Sequence, residues 1–216
     1  MSAPRRAVIV IDVQNEYFTG LLPVQFPPRE DSLARITEVI DTAASQGLPV
    51  AVVQHKFPEG APVFAQGSEG WQLHPQIAER VRPEWKRSVK NVASVFADDS
   101  LVEWLREKEV DTVTLVGYMT NNCVIGSAAA AEPLGIAVEV LSDATGAIHL
   151  ANEAGSASGQ QVHETLMALL HSNFAAVATT EAWTKALGTS AALPKSDLGS
   201  SAVQGRETYG DAPTHA

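Results

Sequence analysis

The chain has 216 residues, of which 45% are hydrophobic, so it is long enough to bury one sizeable core. Its 25 acidic residues outnumber its 15 Lys and Arg residues, and the formal charge of −10 argues against nucleic acid or an anionic membrane surface as a partner. The single cysteine, Cys123, excludes an intramolecular disulfide and a sulfur-rich zinc site. The role of this thiol is therefore the main question that the composition raises.

The N-terminal sequence does not resemble an export signal. Residues 1–6 include two arginines, but the apolar run that follows ends at Asp12 without a small-residue cleavage site. No stretch approaches the roughly 18 consecutive apolar residues that a membrane helix requires. We therefore predict a cytoplasmic protein whose thiol stays reduced, with no membrane and no nucleic acid as partner.

Strand and helix patterns alternate along the chain. Apolar runs, continuous and β-branched at residues 7–13, predict buried parallel strands at 7–13, 48–54, 112–117, 136–144 and 174–179. Apolar residues at helical spacing predict helices between them, at 31–47, 99–108, 122–133 and around 162–170. This alternation implies right-handed crossovers, and hence an α/β fold: a three-layer α/β/α sandwich with a mainly parallel sheet.

Two regions depart from the alternation. Residues 56–90 contain several prolines and aromatic residues without a clear period, which predicts a long excursion over one end of the sheet. From Gly188 onward the sequence is rich in Ser, Gly, Ala and Pro, so we predict a flexible tail over 188–216 that adds nothing to the core. Residues 1–187 are predicted to form a single domain.

Polar residues at the carboxyl ends of the predicted strands are the first candidates for a site, because ligands bind there in open α/β sheets. Asp12 ends the first strand, and Gln54 and His55 end the second. A carboxylate within an apolar run is costly to bury unless it is paired. From its position alone, Asp12 fits a catalytic role and a structural role as a loop cap equally well.

Cys123 follows the third predicted strand through a polar turn, 117–122, and precedes a run of small residues. This order places it at a helix N-terminus, where backbone N–H groups and the helix dipole would lower the pKa of the thiol. A lone cysteine is more often a small buried hydrophobic residue. Its position after a strand nevertheless favours a nucleophile.

A cysteine nucleophile needs a proton acceptor, and no histidine is well positioned for that role. His163 and His171 fall on the late helix, and His149 falls in a loop. His215 lies in the tail, and His55 and His74 lie in or beside the 56–90 segment. Asp12 is then the leading acceptor, and a lysine would hold its charge beside the thiolate. Three lysines are eligible from the pattern: Lys56, Lys86 and Lys90.

Four elements of the sequence occur in a recognisable order: VIVIDVQNEYF at 8–18, Lys90 followed by Ser94 and Phe96, GYMTNNCV at 117–124 with the Ala-rich helix, and SDA at 142–144. Taken together, these motifs resemble the isochorismatase-like cysteine hydrolases, which include nicotinamidase and N-carbamoylsarcosine amidohydrolase. The resemblance covers about residues 7–187 and implies the isochorismatase-like hydrolase fold.

The resemblance implies a catalytic triad of Asp12, Lys90 and Cys123, which selects Lys90 among the three lysines. Asp12 would take the thiol proton, Lys90 would stabilise the anionic pair, and Cys123 would attack a carbonyl group to form a thioester. It also implies a cis peptide at Tyr118–Met119 and an oxyanion hole formed by the backbone N–H groups of Met119 and Cys123.

The resemblance also bears on cofactor and substrate. Nicotinamidases carry a metal-binding Asp-x-His segment after the second strand, where this chain has Gln54-His55-Lys56 without the aspartate. We therefore expect no cofactor; His55 and His74 are the residues that would contribute to a metal site. Isochorismatases that cleave a vinyl ether lack the cysteine, so Cys123 favours an amide or a related C–N bond.

We therefore predict a hydrolase acting on C–N bonds other than peptide bonds, an amidohydrolase for a small carboxamide or carbamoyl compound. The alternatives are a vinyl-ether hydrolase with Asp12 as acid, and a non-catalytic ligand-binding protein of the same fold. The resemblance further implies a homo-oligomer, a dimer or tetramer. Candidate pocket residues, each with ordinary packing as the alternative, are Tyr17, Phe18, Gln54, Trp71 and Tyr118. Asn121 and Asn122 are expected to cap the helix rather than bind a ligand.

Overall fold

Six parallel strands form the central sheet of the computed structural model, which describes residues 3–211. In chain order the strands are β1 (Arg6–Ile11), β2 (Val50–His55), β3 (Lys86–Lys90), β4 (Thr112–Tyr118), β5 (Ala137–Gly146), β6 (Leu150–Asn152), β7 (Gly155–Ala157) and β8 (Ala176–Ala178). The sheet order is β3-β2-β1-β4-β5-β8, while β6 and β7 form a separate antiparallel hairpin. All neighbouring pairs in the large sheet are parallel, which confirms the predicted sheet type.

Helices cover both faces of this sheet. They are α1 (Arg29–Ser45), α2 (Pro75–Ala78), α3 (Asp99–Glu107), α4 (Ile125–Ala131), α5 (Gly159–Leu169), α6 (Thr180–Thr189) and α7 (Leu198–Tyr209). Ile36 of α1 and Trp183 of α6 pack on one face, whereas Leu105 of α3, Ala128 of α4 and Met167 of α5 pack on the other. The three-layer α/β/α sandwich is therefore confirmed. Within residues 3–211, no helix combines the length and apolar character needed to cross a membrane.

The central strands are buried on both faces, which explains their sequence pattern. Every residue of β1, β2 and β4 is buried. Strands covered by helices on both sides have no solvent face that would need alternate polar residues. This is why they form largely continuous apolar runs, and why those runs located them within a few residues.

The prediction that residues 56–90 form a long excursion over the sheet is wrong for the carboxyl end of this segment. Lys86–Lys90 form β3, an edge strand that pairs in parallel with β2. Its buried residues are polar, Ser88 and Lys90, while Arg87 and Val89 are exposed. A strand with this composition lacks the apolar period by which strands are recognised. The consequence is that Lys90 stands at the carboxyl end of a sheet strand.

The C-terminal segment also differs from its prediction. The boundary at residue 187 falls within α6, which continues to Thr189, and α7 is a helix that the composition did not predict. The expectation that this segment adds nothing to the core needs correction, because Leu193 packs against a core cluster. None of the α7 residues is buried. The flexibility of 188–216 stays a prediction, and His215 lies outside the described residues.

The strand order creates a crevice between β1 and β4. From β1 the chain proceeds outward to β2 and β3 on one side, and from β4 to β5 and β8 on the other. Ligands bind at such a switch point, beyond the carboxyl ends of the strands. Gly117, at φ 106°, permits the close pairing here, because a Cβ at this position would collide with the Ile11 carbonyl. Asp12 and the turn that carries Cys123 therefore follow the ends of two adjacent strands, β1 and β4.

Candidate active site

The ammonium group of Lys90 lies at the centre of a buried polar cluster beyond the carboxyl end of the sheet. Its Nζ donates to Asp12 Oδ2 at 2.6 Å and to Cys123 Sγ at 3.2 Å, and lies 3.0 Å from His55 Nδ1. The side chains of Lys90 and Asp12 are 1% and 0% exposed. The three N–H donors of the ammonium group thus meet three acceptors, one each on Asp12, His55 and Cys123. The structure brings together the three residues that the resemblance nominated and adds His55 to them.

Each of these side chains comes from the end of a different strand. Asp12 follows β1 directly and has a left-handed backbone, φ 51°, fixed by bonds from its N–H to the Val53 carbonyl and from the Gln14 N–H to its own carbonyl. A non-glycine residue in this conformation costs about 1–3 kcal/mol and persists where its neighbours enforce it. His55 and Lys90 end β2 and β3 as register partners. Parallel strand ends therefore bring residues distant in sequence to one point.

Cys123 lies in a π-helical turn, Thr120–Val124, that runs directly into α4, so it stands near the N-terminus of a helical segment as predicted. α4 begins only at Ile125, after this turn. The preceding peptide bond, Tyr118–Met119, is cis. The Cys123 carbonyl accepts a hydrogen bond from Ser127 Oγ at 2.6 Å, which ties the turn to α4. The thiol is thereby held at the crevice, buried beside Lys90.

Burial dominates the ionisation of this cluster. It raises the pKa of the Cys123 thiol to about 12, the Asp12 charge raises it further, and the Lys90 charge opposes both. The predicted lowering of this pKa is therefore wrong. Burial also raises the pKa of Asp12, against the attraction of Lys90. Burial and the Lys90 charge lower the pKa of His55 to about 4. The thiol is protonated at neutral pH, so it needs a base at the moment of attack.

Gln14 fixes the backbone around the cluster and was missed by the sequence analysis. Its Oε1 accepts from the His55 N–H at 2.8 Å, while its Nε2 donates to the carbonyls of His55 and Trp71 at 3.0 and 2.7 Å. Gln54 Nε2 donates to the same Trp71 carbonyl at 3.0 Å, and its Oε1 accepts from Arg87. Both polar groups of Gln54 are thus engaged, the amide nitrogen with the segment that carries Trp71 and the amide oxygen with β3. The only sequence signal for Gln14 was a polar residue directly after a buried strand.

Three of the four aromatic residues predicted for the pocket wall form one cluster next to the polar centre, Tyr17, Phe18 and Tyr118. The Tyr118 ring lies 5.5 Å from Tyr17 and 5.9 Å from Phe18 between centroids. Tyr17 also packs against Phe64 at 5.3 Å, and Phe64 lies 5.2 Å from the His55 ring. Tyr17 and Tyr118 are fully buried, so in this state they act as packing residues.

Four buried polar atoms lack a hydrogen-bond partner within residues 3–211: Asp12 Oδ1, His55 Nε2, Trp71 Nε1 and Asn121 Oδ1. Buried polar atoms without partners are rare and cost about 1–3 kcal/mol each. Here they belong to the Lys90 cluster, to the Cys123 turn and to the segment tied to Gln14, which marks a place for a ligand. The capping prediction is wrong for Asn121 and Asn122, because neither this turn nor α4 has a side-chain cap.

The cluster does not fit a metal ion. Asp12, His55 and Cys123 each offer one ligand atom within 4.8 Å of the others. The Lys90 ammonium, however, contacts all three and already supplies the cation among them. A metal ion would have to displace this buried charge. His74, the other candidate ligand, caps α2 by accepting from the Gln76 N–H through its Nδ1.

The remaining described histidines have structural partners. His163, expected to be a surface or a satisfied helical residue, is buried and satisfied: its ring nitrogens lie 3.0 Å from Thr120 Oγ1 and 3.0 Å from the Ser142 carbonyl. His149 and His171 accept hydrogen bonds from backbone N–H groups. These contacts leave Asp12 and His55 as the candidate bases within 4.8 Å of Cys123.

The fold and this site define the class of protein: a hydrolase of the parallel α/β type with a buried cysteine beside a carboxylate and an ammonium group. The family model of the isochorismatase domain matches residues 6–182, so the chain belongs to the isochorismatase family.

Three relatives illustrate this membership. The uncharacterised isochorismatase-family protein YddQ of Bacillus subtilis is 32% identical, with 83% of this chain and 98% of YddQ covered. The nicotinamidase of Escherichia coli is 26% identical, with 65% of this chain and 82% of the enzyme covered. The crystal structure of an isochorismatase-like protein from Burkholderia xenovorans LB400 shares 41% identity and a TM-score of 0.93, with 97% of this chain and 100% of that chain covered.

Proposed function

We propose that this protein is an amidohydrolase that cleaves a small, uncharged carboxamide or carbamoyl compound through a thioester on Cys123. The contact that carries the proposal is the buried Lys90 ammonium, 2.6 Å from Asp12 and 3.2 Å from the Cys123 sulfur. A cation in this position stabilises negative charge as it moves between carboxylate and thiolate. The similarity to a nicotinamidase supports an amide as the substrate.

In the first half-reaction Asp12 accepts the proton of the Cys123 thiol. Asp12 Oδ2 is bonded to Lys90, whereas Oδ1 has no partner among the described groups and is available for this proton. The sulfur then forms a bond to the carbonyl carbon, and the electron pair of the C=O bond moves to oxygen. The backbone N–H groups of Met119 and Cys123 are proposed to hold this oxyanion.

Collapse of the tetrahedral intermediate breaks the C–N bond. The departing nitrogen takes the proton from Asp12 and leaves as ammonia or an amine, while Cys123 keeps the acyl group as a thioester. Water then gives a proton to Asp12 and attacks the thioester carbon. The C–S bond breaks, the thiolate recovers its proton from Asp12, and the acid product is released.

The charges of the cluster favour an uncharged substrate. The Asp12 carboxylate and the Lys90 ammonium offset each other, and His55 is neutral because its pKa is lowered to about 4. An ionic substrate would therefore lose its hydration without gaining a matching charge. We propose that the pocket wall includes some of the residues predicted for it: Tyr17, Phe18, Gln54, Trp71 and Tyr118.

We further propose that the enzyme needs no metal, because Lys90 supplies the cation that a metal would provide. Activity is expected to survive dialysis against a chelator. We also propose a cytoplasmic homo-oligomer, a dimer or tetramer, with a small-molecule substrate and neither nucleic acid nor membrane as partner; light scattering of the purified protein tests its size.

The proposal is tested by incubating the protein with a panel of small amides while measuring ammonia release and the intact mass. Wild-type protein is expected to release ammonia and to carry an acyl adduct on Cys123. Cys123→Ala is expected to lose both while keeping the wild-type melting temperature. Ser172→Ala, a control just beyond α5 whose hydroxyl donates only to the Leu169 carbonyl among the described residues, is expected to retain both.

A vinyl-ether hydrolase with Asp12 as the acid is the competing function, and the raised pKa of Asp12 supports it. Full activity of Cys123→Ala on the true substrate would establish that function and overturn the thioester mechanism. Ligand binding without any turnover by the wild type would identify a non-catalytic member of the fold.

A further inference from the structure

His55 touches the cation of the site but has no part in the mechanism above. Lys90 Nζ lies 3.0 Å from His55 Nδ1, and an ammonium group can only donate, so Nδ1 is the acceptor. The ring proton of the neutral imidazole is therefore on Nε2. The contact with Lys90 thus selects one tautomer and leaves Nε2–H as a donor.

This donor has nothing to bond to among residues 3–211. His55 is 5% exposed, and its Nε2 is one of the buried atoms without a partner. The rings of Phe57 and Phe64 lie 4.6 and 5.2 Å from the imidazole and offer no conventional acceptor. A donor in this condition costs about 1–3 kcal/mol, which a bound acceptor would recover.

The imidazole ring that carries this donor is also held rigidly beside the nucleophile. Gln14 bonds both the N–H and the carbonyl of His55, so the backbone on either side of the ring is fixed. One imidazole nitrogen lies within 4.8 Å of the Cys123 sulfur. A substrate whose carbonyl is attacked by Cys123 therefore has its neighbouring atoms next to the imidazole.

We propose that His55 is a specificity-determining residue that donates its Nε2–H to a neutral acceptor of the substrate, a second carbonyl oxygen or a ring nitrogen close to the scissile carbonyl. This inference rests on the proposed amidohydrolase function and deepens it by naming the substrate class. An amide that lacks the acceptor leaves the buried N–H without a partner, and one that presents a donor there meets a second donor. Acceptor-bearing amides are accordingly preferred by about 10-fold or more.

The first test observes the donor directly. Histidine ¹⁵N spectra of the Cys123→Ser protein are recorded while malonamide or nicotinamide is added, with butanamide and benzamide as matched probes that lack the second acceptor. The His55 signals, identified by their loss in His55→Asn, are expected to report the Nε2–H tautomer and to shift with the acceptor-bearing probes only. A proton on Nδ1, or a signal that neither acceptor-bearing probe moves, overturns the inference.

The second test separates the two nitrogens by substitution. His55→Asn retains a polar atom near the Nδ1 position but no donor at Nε2, and we expect KM for the acceptor-bearing amide to rise about 10-fold with little change in kcat. His55→Gln restores an N–H near the Nε2 position but removes the acceptor for Lys90, so kcat is expected to fall while KM stays low. His149→Asn, a loop histidine bonded to a backbone N–H, is the control.

Equal kinetic constants for His55→Asn and His55→Gln would contradict the inference and leave the proposed function intact. The proposed function fails by a different result, namely full turnover by Cys123→Ala. The two hypotheses are therefore separated by independent variants.

Discussion

Two buried ion pairs lie at opposite ends of β1. Arg6, its first residue, bonds Glu139 through Nε at 2.9 Å and through a terminal nitrogen at 2.8 Å, with side chains 2% and 4% exposed. Asp12, directly after its last residue, bonds Lys90 at 2.6 Å with equal burial. The two pairs share a strand and a dry environment, and differ in what surrounds them.

The hydrogen-bonding groups of the pair at the amino end of β1 find partners in neighbouring residues. Glu139 also accepts from Thr114 Oγ1, which in turn accepts from Trp183 Nε1, and Arg6 donates to the Ala191 carbonyl. At the carboxyl end, Asp12 Oδ1 and His55 Nε2 have no partner in the described part of the chain. A saturated network contributes to the fold alone, whereas unfilled hydrogen-bonding capacity beside a nucleophile is available to a ligand.

The largest effect is expected from removing the cation at the carboxyl end. Lys90→Met keeps the length of the side chain but removes its charge, so Asp12 and Cys123 lose their shared partner. We expect turnover to fall by about 10³-fold and the free energy of unfolding to fall by about 3–5 kcal/mol at neutral pH. Amide hydrolysis and urea titration measure the two quantities. Lys86→Met, on the same strand but bonded to the exposed Ser100, is the control and should change turnover little.

At the amino end, the same type of change is expected to affect stability alone. Arg6→Met leaves Glu139 buried without its partner and should lower the free energy of unfolding by about 3–5 kcal/mol. The site lies about 20 Å away along β1, so kcat/KM of the folded protein should not change. Arg5→Met removes the neighbouring exposed pair with Asp111 and should cost less than about 1 kcal/mol. A fall in kcat/KM for Arg6→Met would contradict the division between the two ends.

The cluster at the carboxyl end of β1 should also make the stability of the protein depend on pH, because it contains His55. Its pKa is lowered to about 4 in the folded protein from 6.5, because burial and Lys90 disfavour the cation. The unfolded chain therefore takes up the proton first as the pH falls, and stability present above pH 6.5 is lost towards pH 4. The loss attributable to this group is about 3 kcal/mol. Urea titrations of wild type and His55→Asn at pH 7 and pH 4 isolate it, and an identical loss in both would contradict the assignment.

The smallest effect is expected where a polar contact next to the site is already satisfied. The Tyr118 hydroxyl lies 2.7 Å from Ser32 Oγ on α1. Tyr118→Phe should lower the free energy of unfolding by about 1 kcal/mol. It should leave KM unchanged, because the hydroxyl that it removes already has a protein partner. A double-mutant cycle with Ser32→Ala measures the pair. A rise in KM instead would assign the Tyr118 hydroxyl to the substrate.

Much of the fold and part of the site could be predicted from local pattern. The strand-end rule located Asp12 and the Cys123 turn, because continuous apolar runs mark doubly covered strands and polar residues stand out where they end. Lys90 required the family resemblance, since β3 buries polar residues and carries no apolar period. Gln14 was missed because a glutamine after a strand gives no indication of which carbonyls it will reach.

The ionisation of the site was beyond sequence pattern for a physical reason. A helix N-terminus predicted a lowered pKa for Cys123, but desolvation acts in the opposite direction and dominates once the thiol is buried. Burial depends on the packing of distant segments, which no local window contains. The same holds for Asn121, whose amide oxygen is buried, has no partner among residues 3–211 and does not cap a helix.

The order of apolar and polar residues determined that this protein is a parallel α/β sandwich with chemistry beyond its strand ends, because periodicity and strand termination are local properties. Apart from the triad that the family resemblance implied, only the tertiary structure decided which groups meet and in which protonation state they lie. Lys90 joins Asp12, 78 positions away, to His55 and Cys123, at 35 and 33 positions. Contacts over such separations, and the desolvation that sets the pKa values, exist only once the sheet has formed.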